Sequence, residues 1–365
     1  MRYVVIMAGG SGKRLWPLSR QGMPKQLLRL VQGKSLLRMA FERVVDVVGA
    51  ENVWVCTGAS YADVVQEELP ELPVDQILGE PVGRDSLNAV AWPAAVLGRK
   101  DPDAVVAMVT ADQLIEPTDV FQASLRRAFE VAESDPSALV TFGVVPNKPH
   151  TGYGYLHRGD PVDGSAEVCE VREFKEKPDL ETAQNYLQSG EYWWNAGMFV
   201  WRASTFLAQA AKFVPECASI VQEIAEHPER LENLFEQLPK ISVDYAIMEP
   251  ASHGRGAPID GRPAHVVAVR LPITWHDVGG FPSLGEHLQR DEHGNALEGR
   301  AVVLDARENL VINAAGDDRL VAVLGLRDTV IVSTPDITLV CPADQAERIK
   351  ELVAKAANDH GLKFA

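Results

Sequence analysis

The sequence predicts an α/β fold with a doubly wound, mostly parallel sheet and a small C-terminal β-rich appendage. From residue 3 to residue 144, short apolar runs alternate with amphipathic helical segments, as in sheets built from β–α–β units. From residue 299 to residue 341, short apolar runs recur without helices between them. A chain of 365 residues can bury a large core, so we expect a large domain over residues 1–285 and a smaller one over 286–365.

The first strand and the loop after it are the most distinctive stretch of the chain. Residues 3–8 are almost wholly apolar, which is typical of a strand buried on both faces of a sheet. Three glycines follow within four residues, at Gly9, Gly10 and Gly12. Glycine permits positive φ angles and a close approach of a ligand to the main chain, so successive N–H groups can bind one anion.

Positive charge is concentrated around this loop. The first 41 residues contain eight Lys and Arg and no Asp or Glu, whereas the whole chain has a formal charge of −16. This contrast predicts a polyphosphate site at the loop. Two commoner phosphate motifs are excluded by spacing, because a P-loop would need glycine where Met7 or Leu28 stands and a dinucleotide fingerprint would need it at Leu15.

The other elements of this half follow in order. We expect a short strand at residues 26–30 and a helix from Ser35, as its N-cap, through Val48. Further strands are predicted at residues 52–56, 75–78, 104–110 and 138–144, and further helices at 61–69, 87–99 and 117–134. Sheets of this kind bind ligands beyond the carboxyl ends of their strands, where the glycine loop and Asp112 both fall.

The pattern loosens from residue 150. Strands are expected at residues 152–155, 167–175 and 197–201, helices across much of 202–248, and a strand with a loop at 265–281. Between residues 299 and 341 short apolar runs recur every ~8–10 residues, which predicts a small solenoid or sandwich. A final helix is expected at residues 344–357.

Bulk properties exclude several classes of protein. The negative charge argues against a nucleic-acid-binding surface, which needs a broad basic stripe. No apolar run approaches the ~20 residues that span a bilayer, and the N-terminal run is too short for a signal peptide. The four cysteines are scattered without a C-x-x-C pair, which favours buried free thiols, a reducing cytoplasm and no structural zinc.

The sequence around the loop resembles a known family. Residues 8–20 (Ala-Gly-Gly-Ser-Gly-Lys-Arg-Leu-Trp-Pro-Leu-Ser-Arg), followed by Pro24-Lys25-Gln26, resemble the signature of sugar-nucleotide pyrophosphorylases, in the mannose-1-phosphate guanylyltransferase branch. The resemblance implies a Rossmann-like nucleotidyltransferase fold with a short β-helix-like C-terminal part. It also implies that mannose 1-phosphate and GTP react to give GDP-mannose and pyrophosphate, with Mg²⁺ as the cofactor.

The resemblance assigns nucleotide binding to the glycine loop and to residues 80–86. Arg14 and Lys25 would hold the triphosphate, and Lys25 would offset charge at the α-phosphoryl group. Glu80 is the candidate for selecting guanine, whose N1–H and N2–H₂ groups donate hydrogen bonds, while asparagine is usual in the family where Asp85 stands. The predicted nucleotide-binding residues are Ala8, Gly9, Gly10, Gly12, Lys13, Arg14, Lys25, Glu80, Gly83 and Arg84. No role carries over to the Lys13 side chain, because its position varies in the branch.

Two acids are candidates for metal binding. Asp112 directly follows an apolar strand, where Asp is depleted, so it is either a helix cap or a metal ligand. Beside a polyphosphate loop Mg²⁺ is favoured, because this ion binds carboxylates and substrate phosphates. Asp277 stands in a Trp-x-Asp-x-Gly sequence that matches a family motif. The resemblance makes Asp112 and Asp277 the magnesium ligands and, with Arg14 and Lys25, the catalytic residues.

Three further segments match the family's sugar-phosphate site. From the residues alone, the charged run at 175–177 is typical of a solvated turn, but the resemblance implies that Lys177 binds the sugar phosphate and Glu176 the sugar hydroxyls. Asn195 and Gly197 match a sugar-contacting turn, in which Asn195 can both donate and accept. Asp244, which follows the candidate N-cap Ser242, is the last sugar-side residue. Trp193 and Trp194 fit either stacking on a sugar or packing in the core.

The resemblance covers nearly the whole chain, with at least six motifs in the family's order. The alternatives are a pyrophosphorylase for another nucleotide or hexose 1-phosphate, and a non-catalytic regulatory subunit. The presence of Asp112, Asp277, Lys25 and Lys177 argues against the regulatory subunit. We expect GTP and mannose 1-phosphate as substrates, no nucleic-acid or membrane partner, a cytoplasmic location and no fused isomerase domain after Ala365. A homodimer is left open.

Overall fold

The computed structural model describes residues 1–10, 12–20, 22–29, 33–162, 164, 167–316 and 318–364. Within them the chain forms two compact units. Unit 1 comprises Met1–Gly9, Arg38–Ala111 and Ile115–Trp275, and unit 2 comprises Gly10–Leu37, Asp112–Leu114 and His276–Ala365. The predicted boundary near residue 285 between two domains stays a prediction.

Unit 1 contains a large sheet. In chain order, the strands up to residue 277 are β1 Arg2–Ala8, β2 Val53–Gly58, β3 Ile77–Glu80, β4 Val105–Thr110, β5 Gln113–Glu116, β6 Ala138–Val144, β7 Tyr155–Pro161, β8 Val168–Lys175, β9 Tyr192–Arg202, β10 Pro258–Ile259, β11 Arg262–Pro263, β12 His265–Arg270 and β13 Thr274–Asp277. Among the described residues the sheet has the order β3-β2-β1-β4-β9-β6-β12-β8-β7. Only β8 and β9 run against the other strands of this sheet, so it is mostly parallel, as predicted.

Both faces of the sheet are covered. Tyr3 and Val5 of β1 lie in the main apolar core, and Val4 and Ile6, which point to the opposite face, are also fully buried. Residues buried on alternate faces of a parallel strand explain the continuous apolar run in the sequence. The helices of the chain are α1 Leu36–Val48, α2 Ala62–Glu68, α3 Ser86–Lys100, α4 Thr118–Ser134, α5 Leu180–Ser189, α6 Ala203–Phe213, α7 Pro215–Glu226, α8 Leu231–Phe235, α9 Phe281–Gly285 and α10 Ile349–His360. The predicted doubly wound α/β class is confirmed.

The C-terminal part of unit 2 is a small parallel β-solenoid. Its strands are β14 Ala296–Glu298, β15 Ala301–Leu304, β16 Leu310–Asn313, β17 Val321–Leu324, β18 Thr329–Ser333 and β19 Thr338–Pro342. β14, β16 and β18 form one parallel ladder, β15 and β17 form another, and β19 pairs antiparallel with β18. Buried Asn309 donates to Asn295 Oδ1 at 2.9 Å. Stacked amide side chains thus supply hydrogen-bond partners to each other at the turns between successive coils of the solenoid.

Some expectations differ from the structure. Residues 26–30 were expected to form a strand, but Lys25–Leu27 is a 3₁₀ turn, closed by Leu27 N–H donating to Pro24 O at 3.0 Å, and Leu30 lies outside the described residues. The strand expected at 197–201 extends over Tyr192–Arg202, and the strand expected at 152–155 begins only at Tyr155. The final helix begins with a 3₁₀ segment, Ala343–Arg348.

The prediction of buried free thiols is confirmed for three of the four cysteines. All four cysteines are free; three of them are buried and Cys341 is half-buried. In the described parts of the chain, no helix combines the length and the apolar character that crossing a bilayer requires.

Candidate active site

Gly10 and Gly12 of the glycine loop lie in unit 2, where Gly12 packs against Lys25. Gly10 and Gly12 have φ angles of +102° and +60°. A Cβ atom at Gly12 would lie 2.7 Å from Lys25 Cβ, so both the backbone conformation and the space require glycine. The carbonyl of Gly12 accepts from Leu15 N–H at 2.8 Å and from Ser19 Oγ at 2.6 Å. Ser11 lies outside the described residues, and the Lys13 side chain is exposed.

Lys25 and Asp112 form an ion pair in unit 2. Lys25 Nζ lies 2.5 Å from Asp112 Oδ2, and the two side chains are only 14% and 23% exposed. The sequence analysis assigned these residues to one site, and the structure brings them into direct contact. A cation held beside an acid can exchange that acid for a substrate phosphate, since both are anionic oxygens.

The second predicted metal ligand lies in a neighbouring segment of unit 2. The Val278 N–H donates to Asp112 O at 3.0 Å, which places the peptide after Asp277 beside Asp112. A Cβ atom at Gly279 would lie 3.5 Å from Asp277 Oδ2 and 3.4 Å from Arg14 Nη1, so this glycine packs directly beside both groups. Arg14 Nη1 donates to Gly279 O at 3.3 Å, and Arg14 Nε lies 3.5 Å from Glu347 Oε2.

The donor set of Asp112 and Asp277 fits Mg²⁺. Among the described residues, no group of three or more His, Cys, Asp or Glu side chains could hold a metal ion. Carboxylate oxygens are hard ligands and suit Mg²⁺, an ion that completes its shell with water and substrate phosphates.

Glu80, at the end of β3 in unit 1, is a buried acid. Its side chain is 8% exposed, and burial raises the pKa of the carboxyl to about 7. In the part of the chain that the structure describes, its Oε1 atom has no hydrogen-bond partner. A Cβ atom at Gly9 would lie 3.8 Å from Glu80 Oε2, so this acid faces the end of the first strand. An unsatisfied buried acceptor is an expected recognition group for a ligand that donates.

The loop after Glu80 is tied down within unit 1. Arg84 Nη2 donates to the Glu236 carbonyl, so the guanidinium predicted to bind nucleotide also anchors the loop. Asp85 has a φ angle of +71° and caps α3 by accepting from Ser86 N–H at 2.8 Å. Asp and Asn side chains both cap helices, which explains how Asp85 can stand where the family has Asn. Gly83 is exposed.

The predicted sugar-side residues gather in one cluster of unit 1. Asn195 Nδ2 donates to Asp244 Oδ1 at 3.2 Å, and the Gly197 N–H donates to Asn195 Oδ1 at 3.2 Å. Gly197 has a φ angle of +69°, which explains the glycine. Burial, and then the negative charge of Glu176, raise the pKa of the Asp244 carboxyl. The structure thus brings Asn195, Gly197 and Asp244 together, as the sequence analysis expected of one site.

Glu176 and Lys177 form a pair beside this cluster. Lys177 Nζ lies 2.9 Å from Glu176 Oε1, and this hydrogen bond raises the pKa of the Lys177 ammonium group. Glu176 is nearly buried, at 9% exposed, whereas Lys177 is 58% exposed. A Cβ atom at Gly154 would lie 2.5 Å from Glu176 Oε2, so a side chain at this position would displace the carboxylate.

Sequence analysis missed three residues that support these groups. Thr141 Oγ1 lies 2.8 Å from Asn195 Oδ1, Gly154 makes room for Glu176, and Glu347 contacts Arg14. A polar residue inside the otherwise apolar run 138–144 was a signal for Thr141. Trp193 and Trp194 are each 4% exposed, and Trp193 lies in the main apolar core, which favours packing for Trp193.

Comparison with known proteins identifies the family. Residues 3–294 match the family model described as Nucleotidyl transferase. The chain belongs to the nucleotidyl transferase family. Residues 299–355 match the model described as MannoseP isomerase/GMP-like beta-helix domain, which agrees with the C-terminal solenoid. The predicted family and fold class are confirmed, while the roles assigned to individual site residues stay predictions.

Relatives with established names are similar over nearly the whole chain. Proteins named mannose-1-phosphate guanylyltransferase from Klebsiella pneumoniae and from Escherichia coli are each 39% identical over 96% of this chain and 72% of the relative. A crystal structure of a Thermus thermophilus protein, described as mannose-1-phosphate geranyltransferase, is 30% identical with a TM-score of 0.84. That similarity covers 97% of this chain and 98% of the other.

Proposed function

We propose that this chain is a nucleotidyltransferase that converts mannose 1-phosphate and GTP to GDP-mannose and pyrophosphate. The observation that supports this most strongly is the 39% identity, over 96% of the chain, to relatives named mannose-1-phosphate guanylyltransferase. The contacts of Lys25 with Asp112 in unit 2 and of Asn195 with Asp244 in unit 1 agree with it.

The reaction needs positioning and charge neutralisation rather than a protein nucleophile. A phosphate oxygen of mannose 1-phosphate attacks the α-phosphorus of GTP and forms a new P–O bond. The bond from the α-phosphorus to the bridging oxygen breaks, and pyrophosphate leaves with the electron pair. Lys25, released from Asp112, offsets the charge at the α-phosphoryl group, and Arg14 binds the triphosphate.

Asp112 and Asp277 are the residues proposed to hold Mg²⁺, because their carboxylate oxygens suit this ion. When bound, the ion neutralises charge on phosphate oxygens. The main-chain bond from Val278 to Asp112 keeps the two acid-bearing segments adjacent, so the residues are positioned before substrate arrives.

The unit 1 residues select the two substrates. Ionised Glu80 accepts from the N1–H and N2–H₂ groups of guanine, which adenine does not offer in that arrangement. Lys177 binds the sugar phosphate, and Glu176 and Asn195 bind sugar hydroxyls. We further propose a cytoplasmic location, which the free thiols support.

The test is pyrophosphate release with Mg²⁺ across four nucleoside triphosphates and the 1-phosphates of mannose, glucose and N-acetylglucosamine. Release with GTP and mannose 1-phosphate alone supports the proposal. Release with another pair would keep the reaction type and overturn the substrate assignment. A folded protein that binds nucleotide but releases no pyrophosphate would be a regulatory subunit.

A further inference from the structure

Thr141 is the polar residue of an otherwise apolar strand. It lies in β6, is fully buried, and faces two oxygen atoms. Its Oγ1 lies 2.8 Å from Asn195 Oδ1 and 3.0 Å from Met198 O. Its hydroxyl has a single proton, and two oxygens 2.8 Å apart are attractive only with a proton between them. Whether Asn195 can accept this proton depends on the orientation of its amide.

A main-chain donor establishes the orientation of that amide, and the contact with Asp244 agrees with it. The Gly197 N–H lies 3.2 Å from Asn195 Oδ1, and a main-chain N–H can only donate. On the other side, Asp244 Oδ1 lies 3.2 Å from Asn195 Nδ2 and accepts. The amide carbonyl therefore faces Thr141 and accepts from its hydroxyl, which also lies within hydrogen-bond distance of Met198 O.

This arrangement leaves Asn195 with one remaining hydrogen-bonding group. Both lone pairs of Oδ1 are used, by Thr141 and by the Gly197 N–H. One Nδ2 proton goes to Asp244, and the other has no acceptor within the described chain. The sequence analysis expected Asn195 both to donate and to accept, but the structure leaves it a single donor.

We propose that Thr141 is a positioning residue for sugar recognition: it holds the Asn195 amide so that the site presents one oriented N–H to a hydroxyl oxygen of the sugar. The inference rests on the proposed function. A hydroxyl that accepts from Asn195 keeps its own proton, which it can donate to a carboxylate, and Asp244 is bonded directly to the same amide. Sites built this way discriminate strongly against sugars that lack the hydroxyl.

The experiment compares steady-state kinetics of Thr141→Val, Thr141→Ser and the wild type. Valine keeps the shape of the side chain and removes the hydroxyl. We therefore expect the KM for the sugar 1-phosphate to rise about tenfold, which corresponds to about 1.4 kcal/mol of lost binding free energy. The KM for GTP should be unchanged. Thr141→Ser should restore the wild-type KM. Thr205→Val is the matched control, because Thr205 is equally buried and donates to the Pro136 carbonyl at 2.6 Å, away from these residues. If Thr141→Val does not fold, Thr141→Ala takes its place.

A double-mutant cycle separates positioning from general destabilisation. If Thr141 acts through Asn195, then Thr141→Val should add nothing to the KM of an Asn195→Ala variant. Equal effects of Thr141→Val in both backgrounds, or a change in the KM for GTP as large as that for the sugar, would overturn the inference. The cycle uses whichever sugar 1-phosphate the wild type converts, so a sugar other than mannose overturns the proposed substrate alone.

Discussion

Replacement of Glu80 with glutamine should change how stability depends on pH. Burial raises the pKa of Glu80 to about 7, against 4.5 for an exposed glutamate. The folded state therefore binds the proton of Glu80 more tightly than the unfolded state does. The contribution of this proton to the free energy of unfolding is fully present below pH 4.5 and is lost as the pH rises through 7. The difference between these two pKa values corresponds to about 3 kcal/mol over the whole titration.

The assay is urea unfolding of the wild type and Glu80→Gln between about pH 5.5 and about pH 8.5. Part of the titration lies below this window, so about 2 kcal/mol of the change falls within it. Glutamine has the same shape and does not titrate, so the other acids of the chain cancel in the difference. The free energy of unfolding of the wild type should fall by about 2 kcal/mol relative to the variant as pH rises. A difference between the two proteins that stays constant with pH would refute a Glu80 pKa that burial raises to about 7.

Three other substitutions test separate parts of the structure. Lys25→Ala should lower kcat roughly 10²–10³-fold with little change in the KM for GTP, and a change in that KM alone would contradict a transition-state role. Gly154→Ala would place a Cβ atom 2.5 Å from Glu176 Oε2 and should raise the KM for the sugar 1-phosphate, whereas Gly98→Ala, with no contact closer than 3.4 Å, should leave kinetics unchanged. Asn309→Ala removes bonds to Asn295 Oδ1 and Leu326 O and should lower the free energy of unfolding by about 2–4 kcal/mol in a urea titration. Exposed Asn233→Ala is its control, and an equal loss of stability in both would exclude a structural amide ladder.

Elements with a strong local pattern could be predicted from the sequence. β1 and β6 are continuous apolar runs, and their observed bounds agree with prediction to within a residue. Pairing of distant strands was harder, because the insertion of β9 between β4 and β6 depends on contacts rather than on local pattern. At residues 25–27, the preceding Pro24 and a 3₁₀ turn replaced the strand that an apolar run had indicated.

In the candidate site, the residues proposed to bind substrate could be predicted from the sequence, but the residues that support them could not. Family resemblance selected Lys25 and Asp112, Glu176 and Lys177, and Asn195 and Asp244, and the structure shows each of these pairs in contact. It did not reveal Thr141 or Gly154, because their effect depends on what lies opposite them in space. A threonine in a buried strand is often only a core residue, and only the position of Asn195 gives it a role.

The charged groups proposed to bind phosphate are already paired in the protein. Lys25 is bonded to Asp112, Lys177 to Glu176, and Arg14 contacts a carbonyl and Glu347. Removing one member of a partly buried pair leaves the other without a partner, so a change in stability after Lys25→Ala will include the cost of an isolated Asp112. A substrate phosphate that displaces Asp112 from Lys25 must leave that acid with another positive partner, and Mg²⁺ held by Asp112 and Asp277 would meet this need. Binding of the nucleotide and of the metal should therefore be mutually favourable, each tightening the other by the same factor.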